Sequence, residues 1–103
     1  MSLPTLSLAK MLNVQASVAR REGRLSDARS LAERSIELGK DMGNVRHVAH
    51  ATHTLARVLG DAGERLIAES LLVRAREMLE TLQDERGMAM VDRTHDVIRR
   101  RPF

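Results

Sequence analysis

Aromatic and sulfhydryl side chains are almost missing from this 103-residue sequence. It has no Cys, Trp or Tyr and a single Phe, which is the last residue. Without Cys the chain can form no disulfide, thiolate metal site or cysteine nucleophile. The shortage of aromatics argues against a β-sandwich or β-barrel, and against nucleic-acid binding by base stacking. An all-helical fold remains.

Long apolar runs and a targeting signal are missing as well. No apolar run approaches the roughly 20 residues that a membrane-spanning helix needs, and the N-terminus lacks the basic-then-apolar layout of a signal peptide. The length fits one domain with a core of its own. We therefore expect a cytoplasmic, single-domain protein without a membrane partner.

The charge balance is modest, with 17 Lys plus Arg against 14 Asp plus Glu. All the basic residues except Lys10 and Lys40 are Arg, which stays protonated to high pH and so raises the isoelectric point. Positive and negative side chains alternate along most of the chain, as is typical of solvated helix faces. Only the run Arg99, Arg100 and Arg101 suggests a phosphate contact, so nucleic acid is the less favoured partner.

Apolar residues recur at helical spacing between the glycines and predict five helices. Their approximate bounds are 5–21, 25–40, 45–61, 65–84 and 88–101. Short connections make sequential helices pack antiparallel. We expect N-terminal caps at Ser26-Asp27 and Asn44, and left-handed glycines that end helices at Gly23, Gly43, Gly63 and Gly87.

A repeat of about 40 residues organises the chain. A shift of 40 places Gly23 on Gly63 and Ala28 on Ala68, and a shift of 39 then places Leu59 on Ile98. The unit is a helical hairpin repeated two and a half times. One hairpin cannot bury its apolar face alone, so the hairpins are expected to stack around a continuous core.

The residues inside this unit resemble the tetratricopeptide repeat (TPR-like) family. The second copy carries the family pattern as Leu55-Ala56, Leu59, Gly63, Ala68, Leu72 and Ala75, and the first copy as Gln15-Ala16, Ala19, Gly23, Ala28, Ala32 and Ser35. The long period is similar to that of repeat domains in large bacterial transcriptional regulators. The resemblance implies an all-α, right-handed superhelix of antiparallel helix hairpins. Repeat 1 covers about 5–43, repeat 2 about 44–84 and a terminal capping helix about 88–101; an unrelated small helical bundle is the alternative.

The resemblance also implies a concave groove, lined by the first helix of each hairpin, that binds a protein or peptide. Its side chains are Lys10, Asn13, Ser17, Arg20 and Arg21 in the first repeat, and His50, His53 and Arg57, with Gly60 and Asp61, in the second. The first helix of the third, incomplete repeat, taken at the shift of 39, adds Ala89, Asp92, Asp96, Arg99 and Arg100. The basic character of the first two sets favours an acidic peptide. The alternatives are a sensor segment of a larger regulator, a nucleic-acid-associated protein, or charges that are only solvated.

Chemistry-bearing motifs are few. His47, His50 and His53 are spaced three apart, and His50 and His53 share a helix face, but no carboxylate or thiol stands nearby to complete a zinc site. A phosphate loop, a Gly-x-Ser-x-Gly elbow and a His-Glu-x-x-His motif are all missing. We expect no metal, no cofactor and no enzymatic activity, and interpret the chain as an interaction scaffold.

The two ends of the predicted stack differ. The last helix is polar enough to act as a solvating cap, whereas the outer side of the first helix carries Leu3, Leu6, Met11, Val14 and Val18. An open apolar end favours self-association into a homo-oligomer, or a place inside a longer repeat array.

Overall fold

Five α-helices make up the computed structural model, which describes residues 5–102. They are α1 (Leu6–Arg21), α2 (Leu25–Asp41), α3 (Val45–Asp61), α4 (Arg65–Thr81) and α5 (Glu85–Arg100). No strand occurs in that range, so the predicted all-α fold is confirmed. None of the helices among these residues is long and apolar enough to cross a membrane.

A three-residue turn separates successive helices and recurs every 20 positions. Gly23, Gly43 and Gly63 occupy the middle of the first three turns, with φ angles of 78°, 64° and 84°. Gly adopts this left-handed conformation without the steric penalty of a Cβ atom. At the first turn the Arg24 N–H donates to the Ala19 carbonyl at 2.9 Å, which satisfies a carbonyl at the helix end. The predicted role of these three glycines is confirmed.

Small residues allow the helices to pack closely. Each helix contacts its neighbours in the sequence. The small and bulky packing residues of the repeat pattern are buried, namely Ala16, Ala19, Ala28, Ala32 and Ser35 in the first copy, and Ala56, Leu59, Ala68, Leu72 and Ala75 in the second. Close backbone approach at the alanines replaces the bulk that aromatic side chains would supply. The core therefore needs few large side chains.

The odd-numbered helices form the inner layer. Helices α1 and α3 contact each other, as do α3 and α5, whereas the backbones of α2 and α4 do not meet. The molecule measures 18 Å along its shortest axis, which is the thickness of two helix layers. One layer is thus α1, α3 and α5, drawn together along the concave side, and the other is α2 and α4. The right-handed sense of the superhelix stays a prediction.

The boundary between α4 and α5 differs from the sequence prediction. Helix α4 ends at Thr81 rather than 84, and α5 begins at Glu85 rather than 88. Gln83, with φ of 55°, adopts the left-handed conformation that Gly has in the other turns. The predicted helix-ending role of Gly87 is wrong: this residue is buried inside α5, and a Cβ atom there would stand 2.9 Å from Leu79 Cδ2. Gly87 is needed for helix contact, not for a turn.

Two further expectations need correction. Asn44 and Asp84 cap α3 and α5 with their side chains. Because these two caps are equivalent, α5 follows α3 at a shift of 40, not 39. In that register Ile98 matches Val58, and both are buried. The cap predicted at Ser26-Asp27 is also wrong, because α2 begins at Leu25 and its N-cap is Arg24, which makes no side-chain cap bond.

The outer side of α1 is apolar and open, as the sequence predicts. Met11 is 49% exposed, Val14 62% and Val18 44%, and Leu6 is 37% exposed. Leu3 lies outside the described residues.

Candidate functional site

The C-terminal ends of α1, α3 and α5 converge at one end of the inner layer. Alternate helices of an antiparallel series run in the same direction, so their ends meet. A cleft of about 160 Å³ lies there. We call it the arginine cleft, and its lining consists of Arg20, Arg57, Asp61, Arg93, Thr94, Val97, Ile98 and Arg101.

Asp61 joins the three helices across this cleft. Arg20 Nη1 donates to Asp61 Oδ2 at 2.8 Å, and Arg101 Nη1 donates to Asp61 Oδ1 at 2.8 Å. Burial by itself would raise the pKa of Asp61, but the hydrogen bonds from Arg101 and Arg20 outweigh it and hold the pKa below its ordinary value. The carboxylate is therefore ionised at neutral pH, and both of its oxygens are engaged by arginine.

Gly60 sets how closely α5 approaches α3. A Cβ atom at this position would stand 3.0 Å from Ile98 Cδ1 and 3.9 Å from Arg101 Nη1. The missing side chain lets Ile98 pack against the end of α3, and this contact brings Arg101 within reach of Asp61.

Arg57 is one of the four cations that line the arginine cleft. Its side chain is partly buried, yet it makes no hydrogen bond or ion pair with any residue in the range 5–102. Burial lowers the pKa of Arg57, and the charges of Arg20, Arg21 and Arg101 lower it further, against the opposing effect of Asp61. Arginine stays protonated in proteins at neutral pH. The cleft thus holds a partly desolvated guanidinium group whose donors are used by no residue in the range 5–102.

Two of the three regularly spaced histidines make hydrogen bonds to neighbouring helices. His53 is 5% exposed, and its Nε2 lies 2.7 Å from Thr94 Oγ1 on α5. Burial lowers the pKa of His53 to about 4, assisted by the charges of Arg57, His50 and Arg20. The side chain of His47 contacts α2 instead, where its Nε2 lies 2.8 Å from Ser35 Oγ. Within the described range no three His, Asp or Glu side chains are placed to hold a metal ion together.

The remaining predicted groove residues do not line the cleft. Lys10 and Arg21 are exposed, and Ser17 and His50 are partly buried. Asn13 Oδ1 is buried without a hydrogen-bond partner, the one such side-chain atom found among residues 5–102. Of the predicted groove residues, the structure brings Arg20, Arg57 and Asp61 together in the cleft.

The groove residues predicted on α5 are the wrong ones. Asp92, Asp96 and Arg99 lie on the side of α5 that meets α4, where Arg76 Nε donates to Asp92 Oδ1 at 2.9 Å. Ala89 and Arg100 do not line the arginine cleft either. The error follows from the one-residue difference in repeat register. With a shift of 40, Arg93 is equivalent to His53, and Arg101 is equivalent to Asp61. The matching caps Asn44 and Asp84 were the signal that would have located these residues.

Comparison with protein-family models, with curated proteins and with solved structures found no match to this chain.

Proposed function

We propose that the concave face of α1, α3 and α5 binds an acidic peptide, or an acidic segment of a partner protein, with one anionic group seated in the arginine cleft. The protein would act as a TPR-like interaction scaffold. The observation that carries the proposal is Arg57, a partly buried guanidinium group without a partner among the described residues.

An unpaired cation that has lost part of its hydration is unfavourable unless something compensates it. Asp61 does not suffice, because its two oxygens already accept hydrogen bonds from Arg20 and Arg101. The negative ends of three helix dipoles offset some of the charge. A bound carboxylate would supply the rest through charge-assisted hydrogen bonds, which guanidinium groups form in a bidentate geometry.

The groove offers a path for the peptide beyond the cleft. Lys10 has an exposed ammonium group further along α1. Lys10 suits a second acidic side chain of the bound segment. This arrangement supports recognition of several acidic residues in sequence, whether the scaffold works alone or as the sensor segment of a larger regulator.

A binding titration tests the proposal. The probe is a fluorescently labelled Glu-rich peptide, compared with its Gln counterpart of the same length. We expect binding of the Glu peptide alone, and a loss of about tenfold in affinity for Arg57→Ala, since a charge-assisted hydrogen bond contributes about 1.5 kcal/mol or more. Arg99→Ala removes an equal charge on the other side of α5 and is the matched control.

Three results would contradict the proposal: equal binding of the Glu and Gln peptides, equal loss in both variants, or no binding of either peptide. Retention on heparin or DNA that disappears in Arg99→Ala but survives in Arg57→Ala would favour a nucleic-acid partner instead.

A further inference from the structure

The size of the arginine cleft limits what can enter it. A volume of about 160 Å³ is well below the roughly 300–1,000 Å³ of pockets that enclose drug-sized ligands. The space suits one compact anionic group better than a length of peptide chain. The cleft therefore recognises a single group, and the groove outside it holds whatever carries that group.

The charge of the cleft is larger than one carboxylate needs. Four guanidinium groups and one carboxylate line it, which leaves three positive charges. Three helix C-termini meet there, and each contributes roughly half a negative charge. About one and a half positive charges remain, which matches the charge of about −1.5 to −2 on a phosphoryl ester at pH 7 better than the single charge of a carboxylate.

The donors are also more numerous than a carboxylate can use. Asp61 accepts from one nitrogen of Arg20 and one of Arg101, and each guanidinium has five N–H donors. No residue that the structure describes uses a donor of Arg57. A phosphoryl group presents three acceptor oxygens where a carboxylate presents two, so it engages more of this unused set.

We infer that the arginine cleft is a site for a phosphoryl group, carried by a phosphoserine or phosphothreonine of the bound segment. The inference rests on the proposed function for the peptide and adds the chemical class of the group that Arg57 recognises. Thr94, held by His53 at 2.7 Å, fixes the side of the cleft that α5 supplies.

The experiment compares three small probes at pH 7 and constant ionic strength: N-acetyl-O-phosphoserine amide, N-acetyl-aspartic acid amide and inorganic phosphate. Binding is followed by NMR through the arginine Nε–H signals and the Thr94 amide. We expect the phosphoserine derivative to bind at least fivefold more tightly than the aspartate derivative. Its affinity should fall between pH 7 and pH 5, because the second ionisation of the phosphoryl group lies near pH 6.

Variants locate the site. Arg57→Ala should weaken phosphoserine binding about tenfold, Arg57→Lys should give an intermediate affinity because it keeps the charge but loses the bidentate fork, and Arg99→Ala should have no effect. Circular dichroism checks that each variant is folded. If Arg57→Ala fails to fold, Arg57→Lys still decides the question.

The outcomes separate this inference from the proposed function. Equal affinity for the phosphoserine and aspartate derivatives, both dependent on Arg57, would overturn the phosphoryl inference and leave acidic-peptide binding in place. Inorganic phosphate binding as tightly as the phosphoserine derivative would overturn the peptide-borne source, and so indicate a free phosphate site. Failure of all three probes to shift the arginine signals would overturn the inference entirely.

Discussion

At the scale of residues, the contact between α2 and α3 and the contact between α4 and α5 each pair one large side chain with one glycine. The two contacts differ in which helix supplies the large side chain. Where α2 meets α3, Gly39 leaves room for the imidazole of His47, whose Cδ2 would stand 3.0 Å from a Cβ atom at Gly39. Forty residues later Leu79 is the large partner, and Gly87 provides the space. One bulky side chain fits at each junction, and either helix can supply it.

This exchange predicts a compensating pair of substitutions. Gly39→Leu should destabilise the protein by about 1–3 kcal/mol through overpacking against His47 and Val48. Gly39→Leu combined with His47→Gly reproduces the Leu79 and Gly87 pair of the second junction, so part of that loss should return. Chemical denaturation of the single and double variants measures the coupling, which we expect to exceed about 1 kcal/mol. Purely additive costs would show that the two junctions are not equivalent.

His53 predicts a specific dependence of stability on pH. Its pKa is about 4 in the folded protein against an ordinary 6.5. Between these two pH values His53 is mostly protonated in the unfolded chain and mostly neutral in the folded chain. The stability it contributes is complete above pH 6.5 and falls as the pH drops toward 4, by up to about 3 kcal/mol. Denaturation midpoints measured across this range should fall in the wild type and fall less in His53→Gln. Parallel curves would contradict the assigned pKa.

At the scale of elements, the sequence predicted the number of helices correctly but misplaced the boundary between α4 and α5. The spacing of Ala and Leu predicted five helices because the buried stripe of each helix repeats regularly. The start of α5 was misplaced because Gly87 looks like a helix end, whereas Gln83 occupies the left-handed position. Arg93 and Arg101 were missed for the same reason, since a one-residue slip rotates every side chain of α5 about its axis by roughly 100°.

The left-handed Gln83 is a point where stability can be gained. A side chain in this conformation costs about 1–2 kcal/mol relative to Gly, and a Cβ atom at the equivalent Gly63 would meet no other atom within 4 Å. Gln83→Gly should therefore stabilise the protein by about 0.5–1 kcal/mol after the entropic cost of Gly. The converse change, Gly63→Gln, should destabilise it by about 1 kcal/mol. Thermal denaturation of both variants decides; a loss of stability in Gln83→Gly would contradict this assignment.

At the scale of the whole molecule, the stack has two unlike ends. Met11, Val14 and Val18 are exposed on α1, whereas their counterparts Ala51, Thr54 and Val58 on α3 are buried. At the other end α5 carries Asp92, His95 and Arg99 where α3 carries Thr52, Leu55 and Leu59. The polar end suits solvent, and the apolar end suits another apolar helix face.

This difference predicts self-association through α1 and not head to tail. Head-to-tail contact would place the apolar face of α1 against the charged face of α5, which costs desolvation. One helix stripe covers well under the roughly 1,200 Å² of a stable interface, so we expect a weak dimer at high concentration. Sedimentation equilibrium should show it for the wild type and not for Val14→Glu. A monomer at all concentrations, or filaments, would contradict the prediction.

The central claim is that ligands bind on the inner layer, at the arginine cleft. The most direct test is a map of amide chemical-shift changes in isotopically labelled protein as the Glu-rich peptide, and then its phosphoserine-containing counterpart, is added. We expect changes concentrated around Ser17, Arg57 and Thr94, larger for the phosphorylated peptide and absent from the outer faces of α2 and α4. Changes confined to α2 and α4, or none at the end of α3, would contradict it.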